Sequence, residues 1–221
     1  MARDTLYWFR LITPGALAAL LLLSLFNPSG DVHYLSETYK EWEGLGVALC
    51  VLLGFLYSVY DVRRMLLADF WVSVNQSVED HLLGILRRER SVTADEEQYL
   101  RKERRLMDTF YRIVDSDESL KARTGGVYLN GYLTTLGVDI ITIGSISFVL
   151  HTLLWEFSDN IGHLRWSIAS AAAVLVAWLT YRRSITRHKK LSGEQLRFIG
   201  NFYADKVRQY TDAILRNMPA K

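Results

Sequence analysis

The sequence predicts an all-α integral membrane protein, with four transmembrane helices, a cytoplasmic helical bundle and assembly into a homo-oligomer. Three observations predict it. Half of the 221 residues are apolar or aromatic, yet the charged residues are set apart from them in blocks. A soluble chain of this length would mix the two at helical or strand period. Only three prolines and little period-two alternation leave helix as the regular structure throughout. The basic residues fall almost wholly on one side of the apolar stretches.

Those stretches are 11–26, 45–60, 133–155 and 166–181. A span needs about 20 apolar residues, with about 17 near the lower limit. Only the third is comfortably long. The others recruit flanking rings, Tyr7, Trp8, Phe9, Trp42 and Tyr181, which suit the membrane interface, while Arg10 snorkels to headgroups. "SLFNPSG" after the first stretch offers no small-residue cleavage site, so this stretch reads as a retained helix and not a signal peptide. Two basic residues precede the first span, twelve lie between the second and third, and ten follow the fourth. Thus 24 of the 26 share one side. The positive-inside rule places both termini and the long middle segment in the cytoplasm.

Between the spans the chain is patterned. The organisation expected is 1–60 for two spans, 61–126 for a cytoplasmic hairpin, 127–181 for two more spans and 182–221 for a cytoplasmic tail helix. Leu67, Trp71, Val74, Val78, Leu82 and Ile85 recur at three and four, one face of a helix continuing unbroken from the second span. Thr93–Glu96 is a capping box opening the next helix, whose face is Tyr99, Leu106, Phe110, Ile113 and Val114. Gly125-Gly126 reads as a hinge. Ser192–Gln195 is a second capping box, before Leu196, Ile199, Tyr203, Val207, Tyr210 and Ile214. Such faces pack into a bundle, with a coiled coil between subunits as the rival for the tail.

Two constellations carry candidate function. Asp139 sits in the third span with no Lys or Arg in the other spans to pair with it. Its helical face reads Tyr128, Tyr132, Thr135, Asp139, Thr142 and Ile146. An ionised aspartate at mid-bilayer costs roughly 2.5–3.5 kcal/mol, so it must face protein or water. Interhelical packing in the protonated form, a ring of pore-lining carboxylates, and a proton or cation relay all meet that demand. For the pore, Tyr132, Thr135, Asp139, Thr142 and Ile146 are the lining, with Ile146 as a hydrophobic gate. Ala169, Ala173 and Ala177 form a small-residue ridge that favours helix association. The second constellation is two basic blocks, Arg87, Arg88 and Arg90, then Arg101, Lys102, Arg104 and Arg105. A solvated face and a phosphate site compete there, since arginine forks match phosphate bidentately. "YRRSITRHKK" at the membrane edge suits anionic lipid.

No nucleotide-binding loop, nucleophile elbow or zinc-protease motif is present, and catalysis is not expected. His151, Glu156, Asp159 and His163 match no ligand spacing and read as loop polarity, so neither metal nor cofactor is expected. Cys50 is the one cysteine and excludes an intrachain disulfide.

The four spans, the Asp139 stripe and the arginine blocks together resemble the small transmembrane effectors of bacterial antiphage systems, with the Hailong system the nearest comparison. The resemblance covers the whole chain as architecture and carries over no residue role. It implies an ion channel of the bacterial inner membrane, by analogy tetrameric, controlled by a nucleotide or single-stranded nucleic acid on the cytoplasmic side. The expectation is therefore an oligomeric, ligand-gated cation channel. The alternative is a non-conducting membrane scaffold that presents its bundle to a protein partner.

Overall fold

The computed structural model describes residues 3–29 and 32–219; the side chains of 3–7, 32–43, 45 and 123 lie outside the described set. The expectations for the Tyr7 and Trp42 rings therefore fall outside the described residues. The described residues form helices α1 (Arg3–Phe26), α2 (Val32–Val59), α3 (Val62–Glu89), α4 (Ala94–Arg101), α5 (Arg105–Asp115), α6 (Glu118–Ser158), α7 (Ile161–Phe202) and α8 (Ala204–Leu215). A three-residue 3-10 turn, Lys102–Arg104, joins α4 to α5. No strand occurs among these residues.

The chain divides into two compact units, residues 1–67 with 131–185 and residues 68–130 with 186–221. Helices α3, α6 and α7 carry the chain from one unit into the other. Among the described residues, three helices are long and apolar enough to cross a membrane: Trp8–Phe26, Glu118–Ser158 and Ile161–Phe202. A fourth appears if Gly46–Val59 and Val62–Glu89 count as one broken span, bent by 51°.

That bend corrects the expectation of an unbroken helix from the second span. Asp61 adopts a left-handed backbone, φ 50°. Aspartate tolerates this region better than most residues because its short polar side chain bonds locally. The Asp61 carbonyl accepts from the Arg64 and Met65 amides, which restarts the helix after the break. The helix face expected for α4–α5 is likewise split, at Glu103 and Arg104, both with positive φ.

In the second unit the predicted faces converge on one core. Val78, Leu82, Leu83, Ile85 and Leu86 of α3 meet Leu100 of α4, the Leu106–Val114 face of α5, and Leu196, Ile199 and Val207. Thr93 caps α4 in the full box, its hydroxyl accepting from the Glu96 amide and the Glu96 carboxylate accepting from the Thr93 amide. The box at Ser192–Gln195 caps nothing, because α7 runs through it to Phe202. Gln195 instead donates across to the Thr124 hydroxyl at 2.9 Å. Thr124 itself donates to the Leu120 carbonyl, which fixes the turn before Gly125-Gly126, and α6 passes through both glycines without a break.

The second unit is also fastened by Asp117, which accepts from the Ser119 hydroxyl (2.6 Å) and the Leu120 amide (2.9 Å) at the start of α6. Its other oxygen accepts from the Tyr203 hydroxyl at the α7–α8 break. The Ser119 and Tyr203 bonds hold the Asp117 carboxyl far below the usual carboxylate range, and the bond to Asp117 pushes the Tyr203 hydroxyl up. A depressed folded value means that the stabilisation is complete above about pH 3.9 and is lost as pH falls through the folded value. The Asp117 carboxyl resonance should therefore remain that of a carboxylate at pH 3 in an NMR titration. Asp117→Asn should melt earlier than the parent at pH 7, with the gap narrowing below pH 3.9. A resonance titrating at the ordinary aspartate value would refute this fastening.

Candidate functional site

Asp139 lies on α6, fully buried, about 9 Å along the helix from the start of the apolar stretch at Leu133. Its partner comes from outside the expected spans, as Arg63 just past the second. Arg63 Nε donates to Oδ1 at 2.8 Å and Nη2 to Oδ2 at 2.6 Å, a bidentate fork. The cause is the break at Asp61, which turns the first residues of α3 back towards α6. Arg63 is 18% exposed, whereas Asp139 is completely enclosed. Its guanidinium also lies 5.8 Å from the centroid of the Tyr57 ring. Paired and bonded at both oxygens, the carboxylate is neutralised within its own chain. In a medium of low dielectric, separating the two charges without water or a new partner leaves each with its desolvation cost uncompensated.

The rest of the proposed pore stripe is divided by its surroundings. Thr135 is buried and donates to the Tyr132 carbonyl at 2.8 Å. The Tyr132 hydroxyl lies 3.1 Å from the Thr13 hydroxyl of α1. Thr142 is half-buried and donates to the Val138 carbonyl. Ile146 faces outwards, 49% exposed. Within one chain, then, the polar half of the stripe points at neighbouring helices and the gate residue does not share its environment.

A polar seam joins α6 to α7. Thr134 pairs with Ser184 (2.7 Å), Ser147 with Ser170 (2.8 Å) and Thr152 with Ser167 (2.7 Å). His151 Nδ1 lies 2.9 Å from His163 Nδ1, and His151 Nε2 lies 2.8 Å from the Ser24 hydroxyl. Ser24 donates to the Leu21 carbonyl, so it accepts from His151 Nε2–H, and His151 Nδ1 is then the acceptor for His163. Loop polarity was the wrong expectation for these two histidines: both are buried in the seam. Glu156 and Asp159 do not join them, and no group of three potential metal ligands occurs among the described residues. The alanine ridge is also rotated from its expected place. Ala177 is buried, but Ala169 and Ala173 are exposed, since the packed face of α7 runs through Ser167, Ser170, Ala177 and Ser184.

The two arginine blocks do come together in the second unit, but largely to bind carboxylates. Arg101 reaches Glu79 (3.2 Å), Asp80 (2.5 Å) and Glu97 (3.0 Å), which raise its pKa, the Asp80 bond most. Arg87 pairs with Glu97, and Arg90 with Glu96 (3.0 Å) and Asp212 (3.7 Å). The Glu96 and Glu97 carboxyls are correspondingly lowered, chiefly by the Thr93 amide for Glu96 and by Arg101 for Glu97. Lys102 and Arg105 both meet Glu103. Arg88 and Arg104 form no ion pair among the described residues. A guanidinium already engaged by two or three carboxylates has little left for a phosphate.

Sequence reasoning missed Arg63, Ser24 and the two histidines as parts of a buried network. It also missed Arg112, which lies over the Tyr210 ring with its guanidinium carbon 4.8 Å from the centroid. Among known proteins, no family model matches this chain, and neither a curated protein nor a solved structure is significantly similar to it.

Proposed function

We propose that the chain is a multi-span membrane protein that assembles into a cation channel, and that the Arg63–Asp139 pair is the latch of its closed state. The observation behind this reading is the pair itself: a fully buried carboxylate forked by an arginine two residues past a backbone break. Ionisable groups at membrane depth are expensive, and their common use is to line or control a path for ions or protons. With the latch made, Asp139 is hidden. With it broken, a carboxylate flanked by Thr135 and Thr142 becomes a cation-attracting, water-accepting surface. The unit of residues 68–130 and 186–221 is the regulatory part, taking a phosphate-rich ligand, and a role in antiphage defence belongs to the same proposal on architecture alone. The enclosed seam and the zero exposure of Asp139 favour one second reading, a non-conducting scaffold.

Current across planar bilayers separates the two. The parent should be silent without ligand, and Arg63→Gln should conduct cations continuously because Asp139 loses its partner. Arg63→Gln with Asp139→Asn should conduct less selectively. Silence from every variant, with insertion verified, overturns the channel and leaves the scaffold.

A further inference from the structure

The second unit holds a cavity of about 500 Å³ between α4, α5 and α8, within the size range of small-molecule sites. Its wall includes Tyr99, Arg105, Asp108, Thr109, Arg112 and Tyr210. Residues 105, 108 and 112 recur at three and four, so all three project from one face of α5. Each arginine lies over a ring. Arg105 stacks on Tyr99, guanidinium carbon to centroid 3.9 Å, and is locked flat by donating to the Tyr99 carbonyl at 2.7 Å. Arg112 lies over Tyr210 and, unlike Arg87, Arg90, Arg101 and Arg105, has no carboxylate partner among the described residues. The Tyr99 hydroxyl is tied to the Asn217 carbonyl at 3.0 Å, so the first stack is fixed from both ends.

We infer that this cavity binds a nucleotide, with the base against an arginine–tyrosine stack and the phosphate on Arg112. A guanidinium held flat on one ring offers its other face to a second planar ring. Uncompensated Arg112 supplies the charge and the fork for a phosphate, while Asp108 offers an acceptor for an exocyclic amine. An anion without a ring would leave both stacks unused, and an apolar ring without charge would leave Arg112 unmatched. The same chemistry is presented by a free mononucleotide and by one residue of a single strand. This inference rests on the ligand-regulated reading above but moves the ligand from the two arginine blocks to a different surface, of which only Arg105 belongs to those blocks.

The test is calorimetric titration of the full chain in nanodiscs with adenosine monophosphate, a tetranucleotide and inorganic phosphate. At least one nucleotide arm should bind about tenfold or more tightly than phosphate. Arg112→Gln should weaken it about tenfold and flatten its salt dependence. Tyr210→Leu should weaken it by a similar factor with the salt slope kept, and Arg197→Gln, on an exposed face elsewhere in the unit, should change neither. Tight binding of the tetranucleotide alone assigns the site to a strand; equal binding of the monophosphate assigns it to the free nucleotide. Arg112→Gln binding like the parent, phosphate matching the nucleotides, or no nucleotide binding at millimolar concentration overturns the inference. Binding unaccompanied by any change in current keeps this site and removes its part in gating the channel.

Discussion

Arg63→Gln should destabilise the unit of residues 1–67 and 131–185 by about 3–5 kcal/mol, the scale of removing one partner from a buried ion pair. The asymmetry of the pair sharpens this expectation. Asp139 is fully enclosed, so without Arg63 it keeps a charge with no donor fork and must admit water or rearrange. Arg63 is partly exposed and has a long stem, so after Asp139→Asn it can swing its head outwards. Asp139→Asn should therefore cost clearly less than Arg63→Gln. The double variant should cost less than the sum, with a coupling of about 0.5–3 kcal/mol, as for residues in direct contact. Reversible unfolding in mixed micelles, followed by tryptophan fluorescence, measures all three. Additive costs would show that the pair is not an energetic unit, and equal costs for the two single variants would refute its asymmetry.

The order of those costs depends on a contact that the sequence hides. Arg63 belongs to a segment of twelve basic and thirteen acidic residues, so charge counting sends it to the cytoplasmic side with the rest. Only the left-handed Asp61 brings it back to α6, and nothing in "LYSVYDVRRM" marks that residue as a break rather than a helix surface position. The capping boxes show the same limit. Thr93 follows a segment that has already left the helix, so its hydroxyl meets free amides. Ser192 sits inside α7, where the preceding carbonyls already take those amides and the motif has nothing to cap. What the sequence does carry is periodicity: the core of the second unit contains Val78, Leu82, Ile85, Leu106, Ile113, Ile199 and Val207 from the faces read at three and four. The near balance of charge in residues 61–125 was the legible sign that the arginine blocks meet carboxylates. Spacing on α5 puts Arg105 and Arg112 on one face, a signal that sequence reasoning left unused, and which ring each covers depends on α4 and α8, brought in from other parts of the chain.

The close crossing of α1 and α2 gives the second large effect. A Cβ on Gly15 would stand 1.7 Å from the Cys50 carbonyl oxygen, and one on Gly54 2.0 Å from that of Leu11. These are backbone atoms that no rotamer change can move, so the helices touch main chain to main chain at Leu11–Gly15 and Cys50–Gly54. Association in lipid draws on such packing, since there is little hydrophobic force between helices there, and close backbone approach adds Cα–H···O contacts. Gly15→Ala or Gly54→Ala must push the axes apart, at about 1–3 kcal/mol each. Gly15→Leu should exceed that range. The control is Gly46→Ala on the same helix α2, where an added methyl meets nothing within 4 Å. Alanine is the better helix former by about 1 kcal/mol, so this variant should be neutral or slightly more stable. Cys50, half-buried at the crossing, gives an independent readout: its alkylation by maleimide should quicken in Gly15→Ala and stay at the parent rate in Gly46→Ala. Parent-like stability and alkylation in Gly15→Ala would mean that the two backbones do not touch.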